Sequence, residues 1–161
     1  MIEMENDSQF YSSTTLLMND AIEYVMKKIY DENKELVDDI VYNTEYPVLY
    51  HRTYEFENSW ETDIQQVERR VQGKLYQDTS KMSFDPSTYT HGSEYYSPED
   101  ARPFLANIIY EGLTGKLFGD GWWTSARDAW TPLIQKLEDG KLDKWFREGM
   151  KLTVPTQLQK M

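Results

Sequence analysis

Apolar residues recur every three or four positions between Ser13 and Asn43, the spacing that one face of an α-helix produces. The pattern predicts a long, core-packing helix over residues 12–44, after a polar and acidic flexible lead at residues 1–11. Glu32-Asn33 interrupts the apolar stripe, which leaves a break near these residues as an alternative. The side chains predicted to be buried are Met18, Ile22, Val25, Ile29, Leu36 and Ile40.

The helical spacing ends before Pro47, because the residue before a proline is pushed out of the helical region. A short helical turn is predicted across Thr53 to Ser59. From Trp60 to Tyr76, apolar residues stand among polar ones in β-compatible runs, which predicts two strands with Gly73 inside the second. Arg69-Arg70 lies in this region, and we expect these two bases to face solvent or a partner.

The segment from Asp78 to Asp100 is dense in Ser, Thr, Pro, Asp and Tyr, which favour turns and loops. A loop longer than about 15 residues in a compact domain usually serves a function or is mobile. Ser97-Pro98 then predicts the start of a helix that runs to about Glu111 and is capped by Gly112. The side chains predicted to be buried in it are Phe104, Leu105, Ile108 and Ile109.

A glycine-punctuated aromatic loop follows, and it lacks the Gly-Lys-Ser/Thr ending of a phosphate-binding loop. Thr131-Pro132 predicts the start of a closing helix with Thr131 as its cap, and Asp139-Gly140 predicts a kink or a break. Residues 153–161 are expected to be a frayed or extended tail, after a sheet, loop and closing helices over residues 48–152. The predicted buried face is Leu133, Leu137, Leu142, Trp145, Phe146 and Met150.

Length and charge narrow the class of protein. The 161 residues are expected to form a single domain, since a chain of this length can bury roughly 70% of its unfolded surface. Acids outnumber bases by 28 to 17, which gives a net charge of −11. Long-range repulsion then disfavours binding to nucleic acid or to an anionic membrane surface, so the expected partners are proteins, with no membrane. The absence of Cys fits a reducing compartment.

No catalytic, cofactor or metal site is predicted. Only His51 and His91 could serve as imidazole bases, and neither lies in a recognisable motif or at metal-ligand spacing from a second His or Cys. Paired carboxylates such as Asp38-Asp39 are expected by chance in a chain with 28 acids. Trp122, Trp123 and Trp130 are interpreted either as core residues or as interface anchors.

A set of short runs between about residues 48 and 150 carries a family resemblance. The runs are His91-Gly92-Ser93, Asp100-Ala101, Leu105, Ile108-Ile109-Tyr110-Glu111-Gly112, Leu117-Phe118-Gly119, Gly121-Trp122-Trp123 and Arg127-Asp128-Ala129-Trp130. Taken as a set, they resemble the small tail-completion, or head-to-tail joining, proteins of long-tailed bacteriophages. Upstream, Arg52-Thr53-Tyr54 resembles an Arg-Thr-Gly motif of that family, with Tyr54 where the family has Gly. Ala129-Trp130-Thr131-Pro132-Leu133 stands where the family often has Pro-Phe-Leu before its last helix.

The resemblance implies an α+β fold, with a long N-terminal helix and C-terminal helices packed on a small antiparallel sheet. It also implies a non-enzymatic structural virion protein, made in the host cytoplasm, whose copies form a ring, six-fold or a multiple of it, at the neck or the top of the tail. The ring would contact the neck adaptor or tail tube proteins, and DNA would only pass through it. Such a ring needs two different patches per subunit. The candidate interface residues are Arg69, Arg70, Phe84, Tyr89, His91, Tyr95, Tyr96, Phe118, Trp122 and Trp123.

Two other classes stay open. An acidic interaction module, such as a DNA mimic that occupies a basic groove on a host protein, would use the same negative charge. A hydrolase that uses His51 or His91 with carboxylates ranks last, because the sequence shows no assembled site.

Overall fold

A computed structural model describes residues 7–43, 54–68, 70–83, 106–112 and 126–158, and these residues confirm the α+β class. They form a long N-terminal helix, C-terminal helices and a two-stranded antiparallel sheet. The chain divides into two compact units. The first contains Met1–Asp31, Thr62–Tyr76 and Gln135–Met161, and the second contains Glu32–Glu61 and Gln77–Ile134. The expectation of a single domain stays a prediction.

The first helix, α1, spans Asp7–Val37 and continues as a π-helical turn over Asp38–Tyr42. The predicted long helix is therefore confirmed. The prediction of a flexible lead over residues 1–11 is wrong for residues 7–11, which are already helical. Acidic and small polar residues suit the positive end of a helix, even though they contribute no apolar period. The alternative break near residue 32 is wrong as well. Both Glu32 and Asn33 are buried in the continuous helix, so polar side chains take core positions there.

The first unit packs α1 against the β-hairpin and the last helix. The α1 side chains in its core are Ala21, Val25, Met26 and Ile29. Val25 and Ile29 were predicted to be buried, whereas Met18, also predicted to be buried, is 37% exposed. The spacing of apolar residues identifies the helical face, but it does not show how far along the helix the covering elements extend.

The hairpin joins β1, Trp60–Val67, to β2, Arg70–Gln77, as the sequence predicted. Two residues connect the strands, and the first of them, Glu68, has a φ of +55°, the left-handed region that two-residue hairpin turns require. Gly73 lies in β2 against α1, where any side chain would collide with the side chain of Met26. The missing side chain thus lets the strand lie close to the helix.

Several short elements shape the second unit. A helical turn, α2, spans Glu55–Asn58 and confirms the turn predicted across Thr53 to Ser59. Tyr54 precedes it with a φ of +56°, the left-handed conformation that glycine adopts most readily. Residues 106–111 are helical, and we label them α3. Gly112 closes α3 with a φ of +74° and donates its N–H to the Ile108 carbonyl at 2.9 Å, as the predicted cap requires.

The C-terminal helices begin with α4, Trp130–Lys136, and end with α5, Leu142–Leu158. The kink predicted at Asp139-Gly140 is confirmed, since Gly140 has a φ of +100° inside the π-helical turn between them. The predicted cap is wrong: the Asp128 carboxylate, not Thr131, accepts from the N–H groups of Trp130 and Thr131, at 2.9 and 3.0 Å.

Two further expectations for the C-terminal part are corrected. Residues 153–158 continue α5, so they are not a frayed or extended tail. The first turns of α5 are packed within the first unit, where Trp145 is buried. Tertiary packing of this kind stabilises a helix beyond its intrinsic propensity. Leu142, predicted to be buried, is 45% exposed, because it follows directly after the kink. On the exposed side of α5, Asp143 and Arg147 lie one turn apart and form an ion pair at 2.7 Å.

Gly149 packs α5 against the backbone of α1 at Ala21, and its replacement by Ala gives a testable prediction. A methyl group there would lie 3.0 Å from the Ala21 carbonyl oxygen and 3.3 Å from the Ala21 Cα. Alanine favours a helix by about 1 kcal/mol over glycine, but overpacking against a rigid backbone costs about 1–3 kcal/mol. We therefore expect Gly149→Ala to lower the free energy of unfolding by about 1 kcal/mol, measured by urea denaturation. Lys151→Ala, an exposed control in the same helix, should change it by less than about 0.5 kcal/mol; a stabilised Gly149→Ala variant would contradict the close packing.

Candidate protein interaction surfaces

The predicted interface residues fall mostly beyond the described part of the chain. Arg70 is described, and it lies exposed at the start of β2. The other nine, Arg69, Phe84, Tyr89, His91, Tyr95, Tyr96, Phe118, Trp122 and Trp123, lie outside the described residues. Within these limits, the described residues present two surfaces suited to protein contacts, one in each unit.

The surface of the second unit is built on an aromatic cluster of Phe56, Trp60, Tyr110 and Trp130. The rings of Trp60 and Trp130 stack nearly parallel, at 9° and a centroid distance of 5.7 Å. The ring of Tyr110 lies nearly perpendicular to the ring of Trp60, with their centroids 6.4 Å apart. The Tyr110 ring is also tilted against the ring of Phe56, at a centroid distance of 5.5 Å. Trp60 is buried, whereas Trp130 is 39% exposed. An inner ring thus supports an outer one that presents a flat apolar surface to solvent, as interface anchors do.

Polar contacts fix the segment that carries Trp60. Ser59 is fully buried, and its hydroxyl donates to the Phe56 carbonyl at 2.7 Å and accepts from the Gln77 amide at 3.0 Å. The Asp78 N–H donates to the Ser59 carbonyl at 2.7 Å, which closes the open end of the hairpin. These bonds hold the start of β1 in place, because buried polar groups are costly to leave unpaired.

A second set of contacts anchors Ser83, which follows β2, and Arg127, which precedes α4. The Glu55 carboxylate accepts from the Ser83 N–H at 2.7 Å and from the Ser83 hydroxyl at 2.6 Å. Arg127 donates its N–H to the Ile109 carbonyl at 2.8 Å and its guanidinium to the Val41 carbonyl at 3.2 Å. Ser83 and Arg127 are therefore held within the second unit by hydrogen bonds to residues that lie far away in sequence.

Tyr110 of the cluster and the neighbouring residue Asp128 have shifted pKa values. Burial, and then the negative charge of Asp128, raise the pKa of Tyr110 well above its ordinary value. The hydrogen bond from the Thr131 hydroxyl lowers the pKa of Asp128, and the N–H groups of Thr131 and Trp130 add to this effect. Among the described residues, the buried hydroxyl of Tyr110 has no hydrogen-bond partner, nor does the indole N–H of Trp60.

The unpaired hydroxyl of Tyr110 gives a second prediction. Removing a buried group that makes no hydrogen bond relieves its desolvation cost, so Tyr110→Phe should raise the free energy of unfolding by up to about 1 kcal/mol at neutral pH. Tyr24→Phe is the matched control. The Tyr24 hydroxyl donates to Glu148 at 3.3 Å, and its loss should cost about 0.5–1.5 kcal/mol. Urea titrations of both variants test the pair, and equal destabilisation would show that the Tyr110 hydroxyl is satisfied in solution.

The raised pKa of Tyr110 also gives this prediction a pH dependence. A group whose pKa is higher in the folded state contributes its full stability below its unfolded pKa, near 10, and loses it as the pH rises towards the folded value. The wild-type chain should therefore lose stability above about pH 10 more steeply than Tyr110→Phe. An identical slope in the two proteins would contradict a buried, neutral Tyr110.

The surface of the first unit is a groove of about 790 Å³ between α1, β1 and α5. The acidic residues Asp20, Glu23 and Asp63 are among those that line it, together with Lys27. Tyr24 and Leu152 add apolar surface. We call these six residues the acidic groove. Its size falls within the range of about 300–1,000 Å³ that is common for binding clefts, and its charge favours a cationic occupant.

Sequence reasoning missed both surfaces for the same reason. Trp130 was noted, but its stacking partner Trp60 lies 70 positions earlier in the chain, and no periodic pattern joins them. The acidic groove draws on three segments that lie far apart in sequence. The one usable local signal was Asp128-Ala129-Trp130-Thr131, in which an acid three residues before Thr131 suggests a cap for the helix that carries Trp130.

Among the described residues, no helix is long and apolar enough to cross a membrane. The same residues contain no group of three or more His, Cys, Asp or Glu side chains arranged to hold a metal ion. Comparisons with protein-family models, with curated proteins and with solved structures found no match.

Proposed function

We propose that this chain is a structural, non-enzymatic subunit of a long-tailed bacteriophage, a tail-completion or head-to-tail joining protein that forms a ring around the DNA channel. The sequence resemblance over residues 48–150 gives the proposal its specific form. The observation that carries it is the pair of chemically different surfaces, since a closed ring needs two distinct patches on every subunit. The aromatic cluster exposes Trp130 in one unit, and the acidic groove opens in the other.

The charge of the chain supports the same proposal. With a net charge of −11, a ring of these subunits would repel DNA and would not bind it through counterion release. A channel through which DNA passes gains from such repulsion, because tight binding would slow its passage. The virion would then hold the protein at the neck or the top of the tail, next to the neck adaptor or the tail tube proteins.

A quantitative mass-spectrometric count of this chain in purified, intact phage particles tests the proposal. We expect a small fixed number of copies, six or a multiple of six, far below the number of major capsid subunits. Trp130→Ala should reduce its incorporation into particles, while Leu142→Ala, which also truncates an exposed apolar side chain, should leave incorporation unchanged. Absence of the chain from clean particles would refute the virion function.

The net charge of −11 also supports a second candidate, an acidic module that mimics DNA and occupies a basic groove on a host protein. Such a protein would bind a nucleic-acid-binding partner as a monomer or dimer, and its affinity would fall steeply with salt. A salt series on affinity-captured host proteins separates the two functions, because ring assembly needs no host partner.

A further inference from the structure

The register of the hairpin shows which backbone groups of β1 turn away from β2. The Asp78 N–H donates to the Ser59 carbonyl at 2.7 Å, so these two residues pair across the open end of the hairpin. Hydrogen-bonded pairs of an antiparallel hairpin recur at every second residue. Thr62 and Ile64 occupy the positions in between, and their N–H and C=O groups therefore point to the outer edge of β1. Among the described residues, β2 is the only strand that pairs with β1, so this edge belongs to no ladder there.

The acidic groove runs along this outer edge. Thr62, Asp63 and Ile64 all line it, although successive side chains of a strand point to opposite faces of a sheet. Three consecutive residues border one space when that space lies beside the strand, and β2 already occupies the other side of β1. The groove of about 790 Å³ thus lies where a further strand would pair, with α1 and α5 as its other walls.

Acidic side chains flank this edge on both faces of the hairpin. Gly73 faces α1, so Asp63 and Lys74, which lie opposite each other in the register, are on the face that turns away from α1. Glu23 lines the groove from α1, on the other face, and Lys27 lies near it. A strand added here passes a carboxylate on each of its faces. Lys or Arg side chains on both faces of that strand are therefore attracted.

We propose that the outer edge of β1 binds an extended basic segment of another protein, which adds to the hairpin as a third strand. The main-chain groups of Thr62 and Ile64 pair with the backbone of the segment, and Glu23 and Asp63 bind its Lys or Arg side chains. In this mode of recognition the backbone hydrogen bonds supply affinity and the side chains supply specificity. The inference goes beyond the proposed function, because it names the chemistry of a partner and applies to a single subunit as well as to a ring.

Charge and conformation select this occupant. The chain has a net charge of −11, so a second copy is repelled at long range, whereas a basic segment is attracted. Most of the basic residues described outside the hairpin also lie in helices, and a helix cannot pair with a strand edge. A free segment with Lys or Arg on both faces meets neither obstacle.

A labelled synthetic peptide, Val-Lys-Arg-Val-Lys-Arg-Val, tests the proposal by fluorescence anisotropy, since as a strand it presents bases on both faces. The peptide should bind, and an analogue with Glu and Asp in place of Lys and Arg should bind at least about tenfold more weakly. Two further peptides carry backbone N-methyl groups, one at its odd-numbered and one at its even-numbered residues. Because a strand bonds to one neighbour through alternate residues, one of these peptides should lose binding and the other should keep it. Equal binding of the two would overturn the strand addition.

Substitutions in the groove locate the site. Glu23→Lys and Asp63→Lys should each weaken binding of the basic peptide by about tenfold. Glu138→Lys makes the same change in charge at an exposed position that does not line the groove, and it should leave binding unchanged. Thr62→Pro removes an N–H from the outer edge and keeps the ladder to β2, so it should weaken binding by about fivefold. Gln66→Pro does the same in β1 beyond the groove and should have little effect.

Circular dichroism of each variant shows whether the fold is retained. Equal effects of the groove variants and of their controls would overturn the inference. Sedimentation velocity without peptide should show no self-association that Asp63→Lys abolishes. Such an association would make a second copy the occupant and would overturn the inference as well.

The peptide also separates this inference from the proposed function. Binding of the basic peptide by a chain that intact particles lack would support the inference and refute the virion function. Particles that hold the chain in ring-like copy number, while the purified chain binds no basic peptide, would refute the inference and leave the virion function standing.

Discussion

Trp60→Ala is expected to lower the free energy of unfolding by about 3–5 kcal/mol, the range for removing a large aromatic side chain from a core. Trp60 is 7% exposed, and its ring touches both Trp130 and Tyr110. Its loss removes apolar burial and two ring contacts at once. The indole N–H has no partner among the described residues, so no hydrogen bond is lost with the ring.

Urea denaturation followed by far-UV circular dichroism measures this loss without relying on the fluorescence that the substitution itself changes. Trp130→Ala is the matched control, since Trp130 is 39% exposed and should cost only about 1–2 kcal/mol. The two tryptophans thus divide their roles, with Trp60 stabilising the fold and Trp130 presenting the surface. Equal losses from the two substitutions would contradict the assignment of Trp130 to an exposed interaction surface.

Much of the helical fold could be predicted from the sequence, because apolar spacing reports directly on a buried face. Val25, Ile29 and Leu133 were predicted to be buried and are buried. Met18 and Leu142 follow the same spacing but are exposed. The period identifies the side of the helix that turns inward, and the extent of the covering elements depends on tertiary contacts that the period does not contain.

The hairpin was predictable for a different reason. The close approach of Gly73 to Met26 of α1 is a tertiary contact and played no part in the prediction. The strands were predicted from the β-compatible runs over Trp60 to Tyr76, a signal that leaves a trace in a single stretch of sequence. Asp128, which caps α4, also has such a local signal. The adjacent Thr131-Pro132 matches the usual pattern of a helix start more closely, which is why the sequence predicted Thr131 as the cap.

The candidate surfaces could not be predicted in this way. The acidic groove needs α1, β1 and α5 in one place, and the stack of Trp60 on Trp130 joins residues 70 positions apart. Only tertiary packing brings such residues together. The predicted interface residues therefore came mostly from the long loops, because a loop rich in aromatic residues can be recognised from the sequence alone. Of those candidates, only Arg70 lies within the described residues.

Leu133→Ala is the second substitution with a large expected effect. Leu133 has no exposed surface and lies in α4, one turn after the buried Ala129. A leucine truncated at a site that cannot collapse loses transfer free energy and leaves a cavity, so we expect a loss of about 3–4 kcal/mol. For a chain of this length, such a loss lowers the melting temperature by roughly 10 °C. Leu142→Ala, 45% exposed, should cost less than about 1 kcal/mol.

The shape of the Leu133→Ala transition also decides whether the chain is a single domain. Leu133 belongs to the second unit, whereas Tyr24 belongs to the first. If both units unfold together, Leu133→Ala and Tyr24→Phe shift one common transition, and calorimetric and van't Hoff enthalpies agree. If the units unfold separately, each substitution shifts a transition of its own. The first result supports the single domain expected from the sequence, and the second replaces it with two domains that fold independently.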